Sequence, residues 1–199
     1  AVDPYGGKEQ FGEHLAPELI LITDIHGDHL NQATLNALDT RGSIFIVPEA
    51  VAKKLPPEMA AKAVVIKNGQ GVHRYGIFIM AIPMYNMPET ADSRHPKGRG
   101  NGYILEIDDY RIYISGDTSA IEEMKMLRDI DIAFVCMNLP YTMDVNEAAA
   151  AVLSFAPKTV YPYNFRGNEG FSDVEKFKKL VISKNKEINV LLRDWYPVN

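Results

Sequence analysis

The chain has 199 residues, of which 46% are hydrophobic and 24% are charged, and it carries a formal net charge of −5. This length and balance predict a single soluble domain over residues 1–199, and the acidic charge lacks the basic face that nucleic acid requires, so nucleic acid is not an expected partner. No apolar run reaches the roughly 20 residues that span a bilayer, so no membrane partner is expected, and the location can be cytoplasmic or exported.

The first half of the chain alternates strand-like and helix-like patterns. Residues 18–23 form a compact β-prone run directly before the polar sequence DIHGDH, which is typical of a buried strand that delivers side chains at its carboxyl end. Further strands are predicted at residues 43–48 and 62–67, and residues 71–84 form two strand-like runs joined or bent near Tyr75-Gly76. Helices are predicted at residues 31–40 and 49–55, the second ended by Pro56-Pro57.

The segment from Tyr85 to Gly102 is long and contains several prolines and glycines. Long loops of this kind within compact domains are usually functional or mobile. We therefore expect this loop to contribute to the functional site.

The second half of the chain begins with a predicted hairpin over residues 102–117, whose turn lies at Asp108-Asp109. Strands are then predicted at residues 131–139, 158–165 and 188–194. Helices are predicted at residues 120–129, 146–156 and 172–184, with Asp144 or Asn146 capping the second and Ser172 with Glu175 in capping-box spacing for the third.

The only cysteine, Cys136, lies in the apolar run IDIAFVCMNL. A single cysteine cannot form an intramolecular disulfide, and this setting indicates a buried thiol. The sequence therefore excludes a metal cage built from cysteines.

The polar sequence after the first predicted strand is unusually rich in potential metal ligands. Four of its residues carry carboxylate or imidazole groups within six positions, namely Asp24, His26, Asp28 and His29. A lone histidine or aspartate in a loop is more often solvated or a helix cap, but such a density after a strand points to a divalent metal ion. We therefore expect a metal site here.

At these residues the sequence resembles the metallo-β-lactamase superfamily. The run DIHGDH is similar to the signature H-x-H-x-D-H, with Asp24 in the first histidine position. Three later segments follow in the order of that family, RHPKGRGNGY with His95, ISGDTS with Asp117 and VYPYNFRG with Asn164. The HPKG-like loop, the GDT turn and the PYHY-like strand end are closest to the branch of ascorbate-phosphate lactonases and related hydrolases.

The resemblance implies an αββα sandwich, with two mixed sheets packed face to face, helices outside and the metal site at one edge. Alternating strands and helices alone would equally suit a doubly wound sheet. The order of the ligand segments is therefore what favours the sandwich over that fold. The opening sequence VDP also matches the family. There it follows a pair of strands that this chain lacks, so we expect an incomplete N-terminus or a partly missing sheet.

The resemblance also implies two ion positions. One would be held by Asp24, His26 and His95, the other by Asp28, His29 and Asn164, with Asp117 bridging them. A carboxylate can replace imidazole at Asp24, but the neutral amide of Asn164 is a weaker ligand. We therefore expect one or two ions of Zn²⁺ or Mn²⁺.

Such a site implies a hydrolase acting on a small-molecule substrate, an ester, lactone or phosphoester that we expect to be anionic. The ion lowers the pKa of bound water so that hydroxide attacks the substrate, and Asp28 or Asp117 orients that water and takes its proton. The alternative is a non-enzymatic protein that binds a metal or metabolite at a decayed site.

Three basic residues have two interpretations. Lys97, Arg99 and Arg166 are candidates for a substrate-binding anion pocket or for solvated surface charge. We expect structural or surface roles for His14 and His73, which lie outside the ligand segments. We expect packing roles for Tyr85 and Tyr163, which flank the predicted site.

Overall fold

The structure is a computed structural model that describes residues 1–196. Its strands are β1 (Leu19–Leu21), β2 (Ile44–Val47), β3 (Ala63–Val65), β4 (Gly71–Arg74), β5 (Ile77–Met84), β6 (Gly100–Ile107), β7 (Tyr110–Ile114), β8 (Ile132–Cys136), β9 (Thr159–Tyr163), β10 (Arg166–Gly167), β11 (Gly170–Phe171) and β12 (Asn189–Val190). Its α-helices are α1 (Gln32–Ala37), α2 (Glu49–Ala52), α3 (Pro57–Ala60), α4 (Glu122–Lys125), α5 (Val145–Phe155) and α6 (Val174–Lys184), and a short 3₁₀ helix spans Lys8–Phe11.

The smaller of the two main sheets has the strand order β1-β2-β3. Its three strands are parallel, with Leu19 paired to Ile44 and Phe45 paired to Ala63. The expectation of a mixed sheet was therefore wrong for these strands. Helices connect them and return the chain to the same end of the sheet each time, which produces parallel pairing.

The larger sheet has the strand order β12-β9-β8-β7-β6-β5-β4 and is mixed, as expected. Strands β4 to β7 pair antiparallel. Tight turns with positive φ at Tyr75, Gly76 and Asp108 join β4 to β5 and β6 to β7, and the long loop that contains His95 joins β5 to β6. Strands β7, β8, β9 and β12 are parallel to one another because α4, α5 and α6 form the crossovers between them.

Three apolar clusters separate four layers. The cluster between the sheets contains Leu21, Ile46, Ile79 and Tyr103, and the Tyr103 hydroxyl donates to the carbonyl of Ile46 at 3.1 Å. A second cluster joins β1 and β2 to α1, α2 and α3, and a third joins β8 and β9 to α5 and α6. The layers are therefore helix, sheet, sheet and helix, which confirms the predicted sandwich and excludes one doubly wound sheet.

The helix boundaries differ from the sequence predictions at several points. Asp173 rather than Ser172 caps α6, because its carboxylate accepts from the backbone N–H of Lys176 at 2.8 Å. The Ser172 hydroxyl donates instead to the carbonyl of Met137. Pro57, predicted to end a helix, begins α3, because proline is well suited to the first helical turn.

The other long helix begins as predicted. Asp144 caps α5 in a reciprocal capping box with Glu147. The two-residue strands β10 and β11 were not predicted, since so short a ribbon has no measurable period. Across residues 1–196, no helix combines the length and the apolar character needed to cross a membrane.

Candidate metal centre

The site lies where the carboxyl end of β1 meets the start of β6 and the loop after β7. The backbone N–H of Asn101 donates to the carbonyl of Thr23 at 2.9 Å, next to Asp24. A Cβ atom at Gly100 would lie 2.8 Å from that carbonyl, so only glycine allows this approach. Gly116, with φ of 61°, similarly lets the chain turn into Asp117 against the sulfur of Met84.

The structure brings the predicted ligands together in two groups. Within each group one ligand atom per residue lies within 4.8 Å of the others, and the groups are Asp24, His26 and His95, and Asp28, His29 and Asp117. Asp117 lies between the groups, because its Oδ2 atom is 3.3 Å from Nε2 of His29 and 3.4 Å from Nε2 of His95. The resemblance implied a bridging role for Asp117, and its carboxylate lies between the two groups.

Asp3 orients His29. Its Oδ2 atom lies 2.8 Å from Nδ1 of His29, and the same carboxylate accepts from the hydroxyl and the backbone N–H of Thr23. A proton on Nδ1 directs Nε2 toward Asp117, and Nε2 can bind a metal ion once it loses its own proton, as in the carboxylate–histidine pairs that support metal ligands. The sequence prediction omitted Asp3 as a site residue, although the VDP motif was the signal that could have identified it.

His95 is held in a similar way from the long loop. Its Nδ1 atom lies 3.1 Å from Oδ1 of Asn86 and 3.2 Å from the carbonyl of Tyr141. Its Nε2 atom is buried and has no hydrogen-bond partner among the described residues. A buried nitrogen lone pair beside a carboxylate is the arrangement that a metal ion satisfies. The long loop thus contributes to the site, as predicted.

Asn164 also faces the cluster. Its amide nitrogen donates to Oδ1 of Asp117 at 2.8 Å and lies 3.5 Å from Nε2 of His29. The residue follows β9 with φ of 42°, a backbone conformation that asparagine tolerates better than most residues. Asn164 is therefore placed where a ligand of the second group would lie.

Asp24 is fully buried and is paired with Arg99. The Arg99 Nε atom donates to Oδ1 at 3.1 Å, and its Nη2 atom donates to Oδ2 at 2.8 Å. The His26 Nδ1 atom lies 2.9 Å from the same Oδ2. Arg99 thus lies within the first ligand group rather than only at the rim of a substrate pocket.

These contacts shift the pKa values of the buried groups. Burial by itself would raise the pKa of Asp24 and of Asp117, but both are lowered, the first by His26 and Arg99 and the second mainly by His29. Burial opposes protonation of His29, yet the carboxylates of Asp117 and Asp3 raise its pKa well above the ordinary value. For His95, burial outweighs the nearby carboxylates and lowers the pKa.

The remaining candidates lie apart from the ligands or at the entrance. The Lys97 ammonium lies 3.5 Å from Glu123 and 3.2 Å from the hydroxyl of Tyr85, so nearby acidic side chains already partner its charge. Arg166 is exposed and lines a cavity of about 270 Å³ together with Asp28 and His29.

The tyrosines and the outlying histidines take no part in the two ligand groups. Tyr163 lines the cavity beside Asp28, and its hydroxyl is buried without a partner among the described residues. His73 lies against the ring of Phe78, with 4.7 Å between ring centroids, and His14 is exposed. These placements agree with structural or surface roles for both histidines.

The two ligand groups differ in how well they fit an ion. In the second group, Oδ1 of Asp117 accepts from the amide of Asn164, but its Oδ2 atom faces Nε2 of both His29 and His95, and no guanidinium lies between them. Carboxylate oxygens and imidazole nitrogens are a ligand chemistry that Zn²⁺ and Mn²⁺ accept. In the first group, both oxygens of Asp24 already accept from Arg99. The residues of the second group therefore fit a divalent ion better.

Comparison with known proteins agrees with this geometry. The sequence profile of the β-lactamase superfamily domain matches residues 1–164, which include every ligand residue described above. The chain belongs to the metallo-β-lactamase superfamily. Within this superfamily it is 31% identical over 176 residues to a UPF0173 metal-dependent hydrolase of Pyrococcus abyssi, covering 86% of this chain and 77% of that protein. A UPF0173 relative from Thermococcus onnurineus is 31% identical over 181 residues, covering 88% and 80%.

Solved structures of the superfamily show the same fold. A candidate metal-dependent hydrolase from Parabacteroides distasonis superposes with a TM-score of 0.84 and 38% sequence identity, over 98% of this chain and 84% of that one. The metallo hydrolase Igni18 from Ignicoccus hospitalis superposes with a TM-score of 0.76 over 93% and 79%, at 23% identity. The chain is thus a member of the metal-dependent hydrolases of this superfamily.

Proposed function

We propose that this protein hydrolyses a small anionic ester, lactone or phosphoester at a Zn²⁺ or Mn²⁺ centre. The observation that carries the proposal is the position of Asp117, whose Oδ2 atom lies within 3.4 Å of Nε2 of both His29 and His95. Both rings have their Nδ1 atoms next to oxygen acceptors, so both Nε2 atoms are directed at this point.

We assign different roles to the two aspartates predicted to be catalytic. Asp117 is buried and contacts His29 and Asn164, so it serves best as a fixed ligand. Asp28 has a side chain that is 48% exposed and lies 3.5 Å from Nε2 of His29. Besides its place in the second ligand group, Asp28 contacts solvent, so it is better placed than Asp117 to orient a water molecule and accept its proton.

A divalent ion bound at this centre would lower the pKa of its water toward neutrality and stabilise negative charge that develops on the substrate. The residues of the chain supply the orientation. Asp3 fixes the ring of His29, Asn86 fixes the ring of His95, and the amide of Asn164 holds the second oxygen of Asp117.

The proposed substrate class follows from the cavity beside Asp28. Its volume of about 270 Å³ suits a small molecule, and its lining combines Arg166 with the aromatic rings of Trp195 and Tyr196. The Arg166 guanidinium lies over the Tyr196 ring at 4.9 Å from the centroid, which positions a positive charge at the entrance. An anionic group bound by Arg166 would place the rest of the molecule next to Asp28.

The test combines metal analysis with a substrate panel. Protein purified without chelators is analysed for metal, and chromogenic esters, lactones and phosphodiesters, each in anionic and neutral forms, are assayed with Zn²⁺ and with Mn²⁺. Metal-dependent turnover that favours anionic substrates supports the proposal. Retained metal without turnover of any substrate would favour the alternative, a protein that binds a metal or metabolite at a catalytically decayed site.

A further inference from the structure

We infer that the guanidinium of Arg99 takes the place of an ion in the first ligand group, so that the protein works with one metal ion and one fixed arginine charge. This inference rests on the metal centre proposed above. It assigns the single ion to the group of Asp28, His29 and Asp117.

The contacts of Asp24 carry the inference. Its Oδ2 atom is the one directed at the other ligands of the group, 2.9 Å from Nδ1 of His26 and 3.8 Å from Nε2 of His95. The Arg99 Nη2 atom donates to this same oxygen at 2.8 Å and lies 3.5 Å from Nε2 of His26. One guanidinium nitrogen therefore contacts two of the three ligands that an ion would need.

Arg99 is held firmly in this position. Its two bonds to Asp24 form a bidentate pair, the strongest geometry for arginine and a carboxylate, and Nη2 also donates to the carbonyl of Arg94. Asp24 has no exposed surface, while the side chain of Arg99 is 21% exposed. A buried carboxylate without this partner would be strongly destabilising, so the pair is favoured whenever the group holds no ion.

Charge repulsion prevents the Arg99 guanidinium and a divalent ion from occupying the first ligand group together. A divalent ion bound by Asp24, His26 and His95 would lie next to the guanidinium, and positive charges at such short distance repel strongly in a buried site. Arginine stays protonated under all ordinary conditions, so deprotonation cannot relieve the repulsion. An aspartate in the first position of the signature, rather than histidine, supplies the charge that retains the guanidinium.

The number of bound ions tests the inference directly. Zn²⁺ is titrated into chelator-treated protein by calorimetry, and the dialysed complex is analysed for metal. We expect one ion per chain in the wild type and two in Arg99→Met, because methionine fills a similar volume without charge. The matched control is Arg94→Met in the same loop, whose guanidinium lies over the Tyr141 ring and which should keep one ion.

A second variant tests the inference even where Arg99→Met does not fold. Arg99→Met removes the arginine partner of the buried Asp24 and leaves it only the contact with His26. Asp24→His combined with Arg99→Met removes the buried carboxylate as well and offers three imidazoles. We expect this double variant to bind two ions. Two ions in the wild type, or one ion in the folded double variant, would overturn the inference. One ion without turnover would overturn only the proposed hydrolysis, and no ion in the wild type would overturn both.

Discussion

Asp3 and His29 are separated by 26 positions in the chain, yet the carboxylate Oδ2 of the first lies 2.8 Å from the ring Nδ1 of the second. This contact fixes the ring so that its Nε2 atom is directed at Asp117. The orientation of a ligand near the end of β1 thus depends on a residue at the beginning of the chain.

Asp3→Asn should weaken metal binding by about 10- to 100-fold, because the amide carries no charge to increase the basicity of His29. The measurement is the Kd for Zn²⁺ by competition with a chromogenic chelator. Asp39→Asn, which removes an exposed carboxylate paired with Arg41, is the control and should leave the Kd unchanged. Equal Kd values for Asp3→Asn and wild type would mean that this contact does not support the ligand.

His95→Ala should reduce hydrolytic activity by more than about 100-fold and lower metal retention, because it removes the buried Nε2 atom that faces Asp117. Metal content after dialysis and kcat/KM on the best substrate of the panel measure the two effects. His73→Ala is the matched control, since His73 lies outside both ligand groups. Full activity in a folded His95→Ala protein would contradict the assignment.

Asn164→His should tighten metal binding at the group of His29 and Asp117. Imidazole is a stronger ligand than the amide, and the Asn164 amide nitrogen already lies 3.5 Å from Nε2 of His29. Calorimetric titration of both proteins with Zn²⁺ and with Mn²⁺ gives the affinities. An unchanged affinity would show that the side chain at this position does not reach the ion.

Arg166→Gln should raise KM for anionic substrates roughly 5-fold or more while leaving KM for neutral analogues of similar size unchanged, because it removes the charge beside the cavity. Arg74→Gln, on strand β4, is the control with the same chemical change. A similar rise in KM for both classes of substrate would indicate lost packing against Tyr196 rather than lost charge.

Cys136 should be unreactive in the folded protein. Burial raises the pKa of its thiol to about 11, so the thiol stays protonated at neutral and mildly alkaline pH. Ellman's reagent at pH 8 should therefore detect no thiol in native protein and one per chain after denaturation. Rapid reaction of the native protein would contradict the buried position that both the sequence and the structure assign to this cysteine.

The sequence by itself was sufficient for the ligand segments and for most of the regular elements. The run from Asp24 to His29 is dense enough to be recognised locally, and His95, Asp117 and Asn164 each lie in a short segment that resembles a family motif. Strand and helix periods are also local properties, which is why the hairpin turn at Asp108-Asp109 and the cap at Asp144 were predicted correctly.

Only the tertiary structure decided how these residues are paired. Asp24 and Arg99 are 75 positions apart. The sequence around either residue does not indicate that the arginine belongs to the ligand group rather than to a substrate pocket. Asp3 reaches His29 because the N-terminal segment lies beside β1 through the bridge between Val2 and Leu21. The physical reason is that local spacing determines which side chains share a face, while charge pairing depends on the distances between elements, which folding alone sets.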